Sequence, residues 1–352
     1  MSEDSRSFPL PCLTAELPGV GGTLKQHDED FVVEEIPAYL PEGEGEFLYL
    51  WIEKRGLSAE QLTSHLARIL GIAHQDVGMA GMKDRQAVTR QWISVPAKKA
   101  ENLPETPHPQ IQILERKRHR NKLRTGHLRG NRFVIRLRNP MPEALSVARA
   151  VAARLRVEGV PNYFGDQRFG KDAETLQLGL ELLRGTRRPG SIPHSRRKFL
   201  LRLALSAAQS SLFNQALAER MNEGLLHTVL QGDVMQVAAS GGPFVVEDVA
   251  AEQPRYDARE TLVTGPMFGP KMKAPTGEVR EREQRLLDAA QLTPEMFVPY
   301  DNLTSGTRRP YLILPQDLVV EPLEDDLQIS VTLPSGSYAT VLLREFQKTD
   351  VA

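Results

Sequence analysis

Residues 77–95 read VGMAGMKDRQAVTRQWISV, a glycine-bearing connection that runs directly into an apolar, β-branched segment. Valine, isoleucine, threonine and tryptophan favour extended structure, so residues 89–95 are predicted to form a strand. Residues 77–86 are predicted to form a loop because glycine interrupts any regular pattern there. Asp84 is therefore expected on a loop close to the start of a strand.

The sequence before this loop predicts two strands and a helix. Residues 23–37 and 46–53 have the composition of strands and are separated by a turn-like PEGEG segment. Ser58 and Gln61 then form a capping-box pattern, and leucines recur at helical spacing until Gly71.

Apolar and polar residues also alternate after the loop, at Ile111/Ile113 and from Phe133 to Leu137. This spacing predicts two more strands with one buried face each. Beyond them the chain is expected to be helical and then to return to strands. The predicted helices cover residues 142–159, 199–221 and 280–292, a turn-rich segment covers 265–270, and the last strands cover 311–314 and 327–333.

Length and composition limit the class of protein. The chain has 352 residues, more than one typical core of about 150 residues accommodates, so two domains or one large insertion are expected. The single cysteine, Cys12, excludes disulfides and cysteine-built zinc sites. The sequence has neither a membrane-span pattern nor a secretory signal, so a soluble cytoplasmic protein is expected. The eight histidines form no i, i+4 pair, and no metal site is predicted.

Positive charge is concentrated in one stretch, although the total charge is close to zero. Residues 116–138 contain ten Lys or Arg and no Asp or Glu. Such a stretch can neutralise several phosphates, which favours nucleic-acid binding, with Arg118, Arg120 and Lys122 as candidates for contacts to an RNA backbone. The alternative is a solvated surface that binds nothing.

Common catalytic signatures are absent, including a phosphate-binding P-loop, a nucleophile elbow and a zincin motif. Any chemistry is then expected to come from carboxylates. Asp84 is a candidate because Lys83 and Arg85 flank it and cations keep a carboxylate ionised, as a nucleophile or base requires. The alternative is an ordinary surface turn in which Asp84 binds its own backbone.

Residues 80–91, AGMKDRQAVTRQ, resemble the signature of the TruD family of tRNA pseudouridine synthases. Other segments resemble the same family, in the family's order along the chain. They are Lys25 with residues 30–35 (DFVVEE), residues 127–133 (HLRGNRF), residues 162–170 (NYFGDQRFG) and residues 333–340 (LPSGSYAT).

This resemblance implies a fold of the α/β (α+β) class. A catalytic domain with a central mixed, mainly antiparallel sheet would be interrupted by a family-specific inserted α/β domain. The catalytic domain would comprise residues 1–156 and 314–352, and the insertion would comprise residues 157–313.

The resemblance also implies an activity, the isomerisation of uridine 13 of tRNA to pseudouridine on a flipped-out base, without a cofactor. Asp84 would be the single catalytic residue, either attacking C1′ or removing a proton from it. Phe31, Asn131 and Tyr338 would bind the target uridine, with tyrosine standing where other members carry phenylalanine. Phe133 would pack beneath the pocket and Lys25 would pair with Asp84. The partner would be tRNA, bound by a monomer with no obligatory protein partner.

Two other functions compete with this prediction. An RNA-binding protein that had lost catalysis would keep the basic stretch, but a disrupted Asp84 loop would be expected. A glycosidase or nucleosidase would share the glycosidic-bond chemistry, but it would normally need two paired acids. The basic stretch argues against this class of enzyme.

Overall fold

The computed structural model describes residues 10–100 and 103–348, which form fifteen β-strands and seven α-helices. The strands are β1 Gly21–Thr23, β2 Phe31–Pro37, β3 Phe47–Arg55, β4 Gly78–Met79, β5 Val88–Pro96, β6 Ile111–His119, β7 Leu128–Pro140, β8 Val160–Pro161, β9 Val234–Val237, β10 Pro243–Val245, β11 Thr261–Met267, β12 Thr307–Pro310, β13 Leu312–Ile313, β14 Gln316–Leu323 and β15 Asp326–Pro334. The helices are α1 Ala59–Leu70, α2 Ala144–Glu158, α3 Glu174–Leu183, α4 His194–Asn222, α5 Val249–Asp257, α6 Gly277–Ala289 and α7 Ala339–Gln347.

One nine-stranded sheet carries the N- and C-terminal parts of the described chain. Its main path runs β14-β15-β7-β2-β5-β3-β6, with β1 beside β7 and β4 beside β5. Of its pairs, β2 and β5 are parallel and the rest are antiparallel. The expected mixed, mainly antiparallel sheet is therefore confirmed.

The local signals in the N-terminal part are confirmed as well. Ser58 Oγ accepts a hydrogen bond from the Gln61 backbone at 3.1 Å, and Gln61 Oε1 accepts one from the Ser58 backbone at 2.9 Å. The two bonds close the capping box at the start of α1. Gly71 ends the helix with φ of 60°, a left-handed conformation that glycine adopts without steric cost.

Two apolar clusters pack on the same face of the large sheet. Leu50 and Ile52 of β3 pack in one cluster with the leucines of α1. Val33 and Ile135, from β2 and β7, pack in the other with α2 and α7. Strand pairing shows that the two clusters share a face. Val33 of one cluster pairs with Thr89, and Ile52 of the other pairs with Gln91. Thr89 and Gln91 are two residues apart on β5, so their side chains point to the same side of the sheet. Polar residues of β5 therefore lie between the clusters.

The middle of the chain differs from its prediction. It contains α4, which begins five residues before the predicted start, and α6, which covers residues 277–289 rather than 280–292. It also contains a four-stranded sheet, β10-β9-β11-β12, that the sequence did not reveal because three of its four strands have only three or four residues.

The turn predicted at 265–270 is wrong for residues 265–267, which belong to β11. A Cβ at Gly265 would lie 2.3 Å from the ring of Tyr311, so this glycine serves close packing rather than a turn.

A two-stranded ribbon joins the two ends of the middle segment, by which we mean the part of the chain between α2 and β14. β8 pairs with β13, with Pro161 opposite Leu312 and Val160 opposite Ile313. The chain therefore leaves for the four-stranded sheet and returns from it at adjacent points. No helix of the described chain is long and apolar enough to cross a membrane.

Candidate functional site

Polar side chains form a strip across the large sheet between its two apolar clusters. We call this set the polar strip; it consists of Glu35, Lys54, Thr89, Gln91 and Asn131. Strand pairing puts Glu35 opposite Asn131, and Lys54 opposite Thr89, which gives them a common face. Asn131 is half-buried and the other four are buried. Residues of the β4–β5 loop contact this strip.

Asp84 lies on the β4–β5 loop, as predicted, and 39% of its side chain is exposed. Lys54 Nζ donates to the backbone carbonyls of Asp84 at 2.8 Å and Leu57 at 2.7 Å, which ties the loop to the sheet. Burial lowers the pKa of the Lys54 ammonium to about 8, and the nearby Asp84 carboxylate opposes this shift. The Asp84 backbone is thus held while its carboxylate stays accessible.

Lys25 provides the cation beside the Asp84 carboxylate. Its Nζ lies 3.7 Å from Asp84 Oδ2 and 4.5 Å from the ring centroid of Phe31. Lys25 adopts a left-handed backbone conformation, with φ of 54°, and its carbonyl accepts a 2.7 Å hydrogen bond from Gln86 Nε2. A non-glycine residue in this region is strained, and such strain clusters at functional sites.

Lys83 does not hold Asp84, so that part of the sequence interpretation is wrong. Lys83 Nζ instead lies 2.9 Å from Glu35 Oε2, and both side chains are buried. Burial raises the pKa of the Glu35 carboxyl, and Lys83 opposes this rise. Arg85 is exposed. Adjacent loop residues point to different partners, which sequence proximity cannot reveal.

Phe31 and Phe133 meet next to Lys25, with ring centroids 6.0 Å apart in an edge-to-face arrangement. Both rings are buried in the cluster below α2. Direct contacts therefore bring together four residues, Lys25, Phe31, Phe133 and Asp84, which we call the contact group of Asp84.

Asn131 lies on the same face of β7, two residues before Phe133, and opposite both Glu35 and Leu333. Within the described chain, its Oδ1 is buried without a hydrogen-bond partner, and so are Thr89 Oγ1 and both polar atoms of the Gln91 amide. An unpaired buried polar group costs about 1–3 kcal/mol. Several such groups on one strip suit a surface that meets a polar ligand.

Tyr338 lies at the end of the sheet that carries Asn131, at the N-cap of α7. Its ring packs edge-on against Phe164, with centroids 6.0 Å apart. The Arg309 guanidinium lies 4.1 Å from the Phe164 ring centroid and donates 2.9 Å to the Gly336 carbonyl in the same turn. Burial lowers the pKa of Arg309 to about 10. Tyr338 thus packs on the 162–170 segment, and its contacts do not include Asp84, Lys25, Phe31 or Phe133 among the described residues.

Sequence reasoning missed Lys54, Glu35 and Gln91. A usable signal existed, because Lys54 follows Leu50 and Ile52 at the inward-facing spacing of β3, and Glu35 follows Phe31 and Val33 in the same way. Charged residues at inward positions of otherwise apolar strands are uncommon unless paired.

The basic stretch extends from β6 through the connection into β7, as predicted. Its charges are partly neutralised within the protein. Arg120 pairs with Glu42 and Glu44, while Lys122 Nζ donates to the Gln75 carbonyl and Arg118 to the Gly45 carbonyl. Among the described residues, no cluster of His, Cys, Asp or Glu could hold a metal ion.

The site thus combines an accessible carboxylate with an adjacent cation and two aromatic rings, and unpaired amide groups lie on the same face of the sheet. The comparisons with known proteins identify the family. A family model described as tRNA pseudouridine synthase D (TruD) matches residues 9–189 and 194–346. The chain belongs to this TruD family, whose members are isomerases that form pseudouridine in tRNA.

Individual relatives and a solved structure agree with this membership. The chain is 45% identical to tRNA pseudouridine synthase D from Anaeromyxobacter dehalogenans over 97% of each chain. It is 42% identical to tRNA pseudouridine synthase D from Thermus thermophilus, over 97% of this chain and 92% of the relative. A TruD crystal structure from Methanosarcina mazei matches with a TM-score of 0.76 and 24% identity, over 97% of each chain, which shows the fold.

Proposed function

We propose that this enzyme converts uridine 13 of tRNA to pseudouridine, with Asp84 as its single catalytic carboxylate. One observation carries the proposal: the Asp84 carboxylate is accessible, and Lys25 Nζ lies 3.7 Å from it while also covering the Phe31 ring. A carboxylate, a cation and an aromatic surface are thereby joined in a single contact group.

The reaction breaks the N1–C1′ bond of uridine, turns the base and joins C5 to C1′; the C5 proton is lost and N1 gains a proton. There is no net oxidation or hydrolysis. Asp84 either attacks C1′, forming an ester bond that breaks when C5 attacks C1′, or acts as a base. In the second route the proton comes from C2′ rather than from C1′, because C1′ is the carbon left cationic when the base departs, and the proton returns when C5 bonds to C1′. The ionised form of Asp84 serves both routes. Lys25 Nζ, 3.7 Å from Asp84 Oδ2, places a positive charge beside the carboxylate that both routes use.

The target base must leave its stack to reach Asp84. We assign Phe31, Asn131 and Tyr338 to the pocket that receives it, with Phe133 packed beneath Phe31. The unpaired Oδ1 of Asn131 can accept a hydrogen bond from the uracil N3–H. The rings of Phe31 and Phe133 are buried in the free enzyme, so this assignment requires the side chains that cover them, Lys25 over Phe31 among them, to shift when the base enters.

We also propose that residues 157–313 form an inserted domain and that residues 1–156 and 314–352 form the catalytic domain. The pairing of β8 with β13 supports this division, because the chain enters and leaves the middle segment side by side. Helix α2 ends at Glu158, so the first boundary falls in its last turn. With tRNA as its partner, bound through Arg118, Arg120 and Lys122, we expect a monomeric cytoplasmic enzyme.

The test is to map pseudouridine in an unmodified tRNA transcript after treatment with the purified enzyme. Conversion at position 13 is expected, and a transcript with cytidine at that position serves as the control. Absence of any new pseudouridine would contradict the function, and conversion only at another position would contradict the assigned target.

A further inference from the structure

A cavity of about 640 Å³ lies beside the β6–β7 connection, away from the contact group of Asp84. It is lined by Tyr39, Phe47, His119, Lys122, Arg124 and His127, among others. We infer that this cavity binds a second, unpaired nucleotide of the RNA, separate from the target uridine, by stacking its base on Tyr39. The inference rests on the proposed function and extends it to a second subsite.

The cavity wall presents an aromatic surface suited to a nucleobase. The ring of Tyr39 is stacked on His119, with centroids 5.2 Å apart and planes 25° apart. Tyr39 is 36% exposed, and its hydroxyl is 2.7 Å from His127 Nδ1. The ring is therefore fixed on one side and open on the other, as a stacking platform must be.

His119 gives an independent indication of a ligand. It is 5% exposed, and its Nδ1 is buried without a hydrogen-bond partner in the described chain. The nearest carboxylate, Glu42 Oε2, lies 4.0 Å away, beyond hydrogen-bond distance. An orphaned ring nitrogen in a cavity wall suits a ligand with complementary polar edges, and a nucleobase has them.

The charges around the cavity favour an anion. Arg124 is exposed, and its guanidinium has no ion pair among residues 10–100 and 103–348. Lys122 lies on the same wall. The acid on this wall, Glu42, is engaged by Arg120 at 3.3 Å. Arg124 can therefore contact a phosphate of the bound nucleotide.

Backbone hydrogen bonds connect the cavity to the Asp84 loop. Gly126 N donates to the Ala80 carbonyl at 2.8 Å, four residues before Asp84. Ala38 N donates to the His127 carbonyl at 3.3 Å. Phe47 in the cavity wall and Lys54 beside Asp84 lie seven residues apart on β3, with their side chains on opposite faces of the sheet. A nucleotide in the cavity would therefore be held apart from one at Asp84, on a wall that is tied to the start of the catalytic loop.

The test is a thermodynamic cycle on the full-length enzyme and an unmodified full-length tRNA. Dissociation constants are measured for wild type and Tyr39→Ala, on the intact RNA and on RNAs carrying one abasic site at each unpaired position in turn. Stacking of one base contributes about 1–3 kcal/mol, so Tyr39→Ala should weaken binding of the intact RNA roughly tenfold. On the RNA that lacks the stacked base, the same substitution should have almost no effect.

Two further variants keep the result interpretable. Tyr39→Phe keeps the ring and should retain the wild-type sensitivity to the abasic site. Phe199→Ala removes an exposed ring on α4, distant in sequence, and should bind every RNA as wild type does. An equal loss on all RNAs, or no loss on the intact RNA, would overturn the second subsite. The cycle measures binding, so it can be read whether or not pseudouridine forms.

Discussion

Two buried polar regions of this enzyme are built in opposite ways. In the middle segment, Arg220 binds Asp233 through two hydrogen bonds of 2.8 and 2.7 Å, and donates two further hydrogen bonds to the carbonyls of Leu225 and Thr228. In the polar strip, polar atoms of Thr89, Gln91 and Asn131 are buried without protein partners. The region around Arg220 forms its hydrogen bonds within the protein, whereas several polar atoms of the polar strip have no protein partner.

The difference separates stability from function. A fully paired buried ion pair leaves nothing to bind a substrate, and removing one partner leaves a costly unpaired charge. Unpaired buried groups instead reduce stability and are retained where they meet something else. The same kind of substitution should therefore affect folding in the first region and catalysis in the second.

The largest expected effect is on turnover in Asp84→Asn. Without an ionised carboxylate neither proposed route can operate, so the single-turnover rate should fall on the order of 10³-fold or more. Affinity for tRNA should remain within a few-fold of the wild type, because shape and most contacts are kept. A loss of affinity that accounts for the lost rate would instead make Asp84 a binding residue.

Breaking the paired region should produce a large effect of the other kind. Asp233→Ala leaves the Arg220 charge buried and unpaired, and is expected to lower the free energy of unfolding by about 3–5 kcal/mol. Urea denaturation measures this loss. Turnover per folded molecule should be unchanged, and a selective loss of activity at unchanged stability would break the comparison.

Removing the cation next to Asp84 should have an intermediate effect. Lys25→Met keeps most of the side-chain volume over Phe31 but removes the ammonium. The single-turnover rate should fall about 10- to 100-fold, because a positive charge 3.7 Å from the reacting carboxylate is lost. Lys25→Arg should recover part of the rate. An unchanged rate in Lys25→Met would show that the observed 3.7 Å contact is incidental.

Within the polar strip, Gln91→Met sharpens the comparison. Its amide has no partner in the described chain, so an apolar side chain of similar size should leave stability unchanged or raise it by up to about 1 kcal/mol. The rate should fall about tenfold, the value of one lost hydrogen bond in the substrate complex.

The matched control for Gln91→Met is Gln209→Met. The buried Gln209 amide donates 2.6 Å to the Phe268 carbonyl, so its loss should cost about 1–2 kcal/mol of stability and leave the rate unchanged. Equal stability losses in the two variants would remove the distinction between the regions.

The smallest effect is expected from replacing Arg118, Arg120 and Lys122 together by serine. Arg120 is already paired with Glu42 and Glu44, and Lys122 with a carbonyl, so tRNA affinity should fall only about three- to tenfold. The dependence of affinity on salt should flatten, as measured between 50 and 200 mM salt. Unchanged affinity and slope would indicate a solvated surface.

Much of the N-terminal fold could be predicted from local patterns. The capping box of α1, the strand-forming composition of β3 and β5 and the alternation in β7 are local in sequence, and each element formed where its pattern indicated. The middle segment was less predictable because β9, β10 and β12 have only three or four residues, too few to display a period. At Gly265 the reason for glycine is contact with a distant ring, which no local pattern encodes.

The site was predictable in part for the same reason. A motif resemblance identified Asp84, Lys25 and Phe31, and these residues do meet. The role of Lys54 depends on a hydrogen bond that spans 30 residues, and that of Lys83 on a contact with Glu35 across the sheet. The positions of Lys83 and Arg85 next to Asp84 in the sequence suggested that both cations contact its carboxylate. That expectation failed because adjacent residues of a loop can point their side chains in different directions.

The most direct test compares wild type and Asp84→Asn in the same preparations, measuring the free energy of unfolding and the single-turnover formation of pseudouridine at position 13. The stabilities should agree within about 1 kcal/mol, because the Asp84 side chain is partly exposed and its backbone is held by Lys54. Wild type should convert position 13 and Asp84→Asn should form no pseudouridine there. Conversion by Asp84→Asn at the wild-type rate would contradict the central claim.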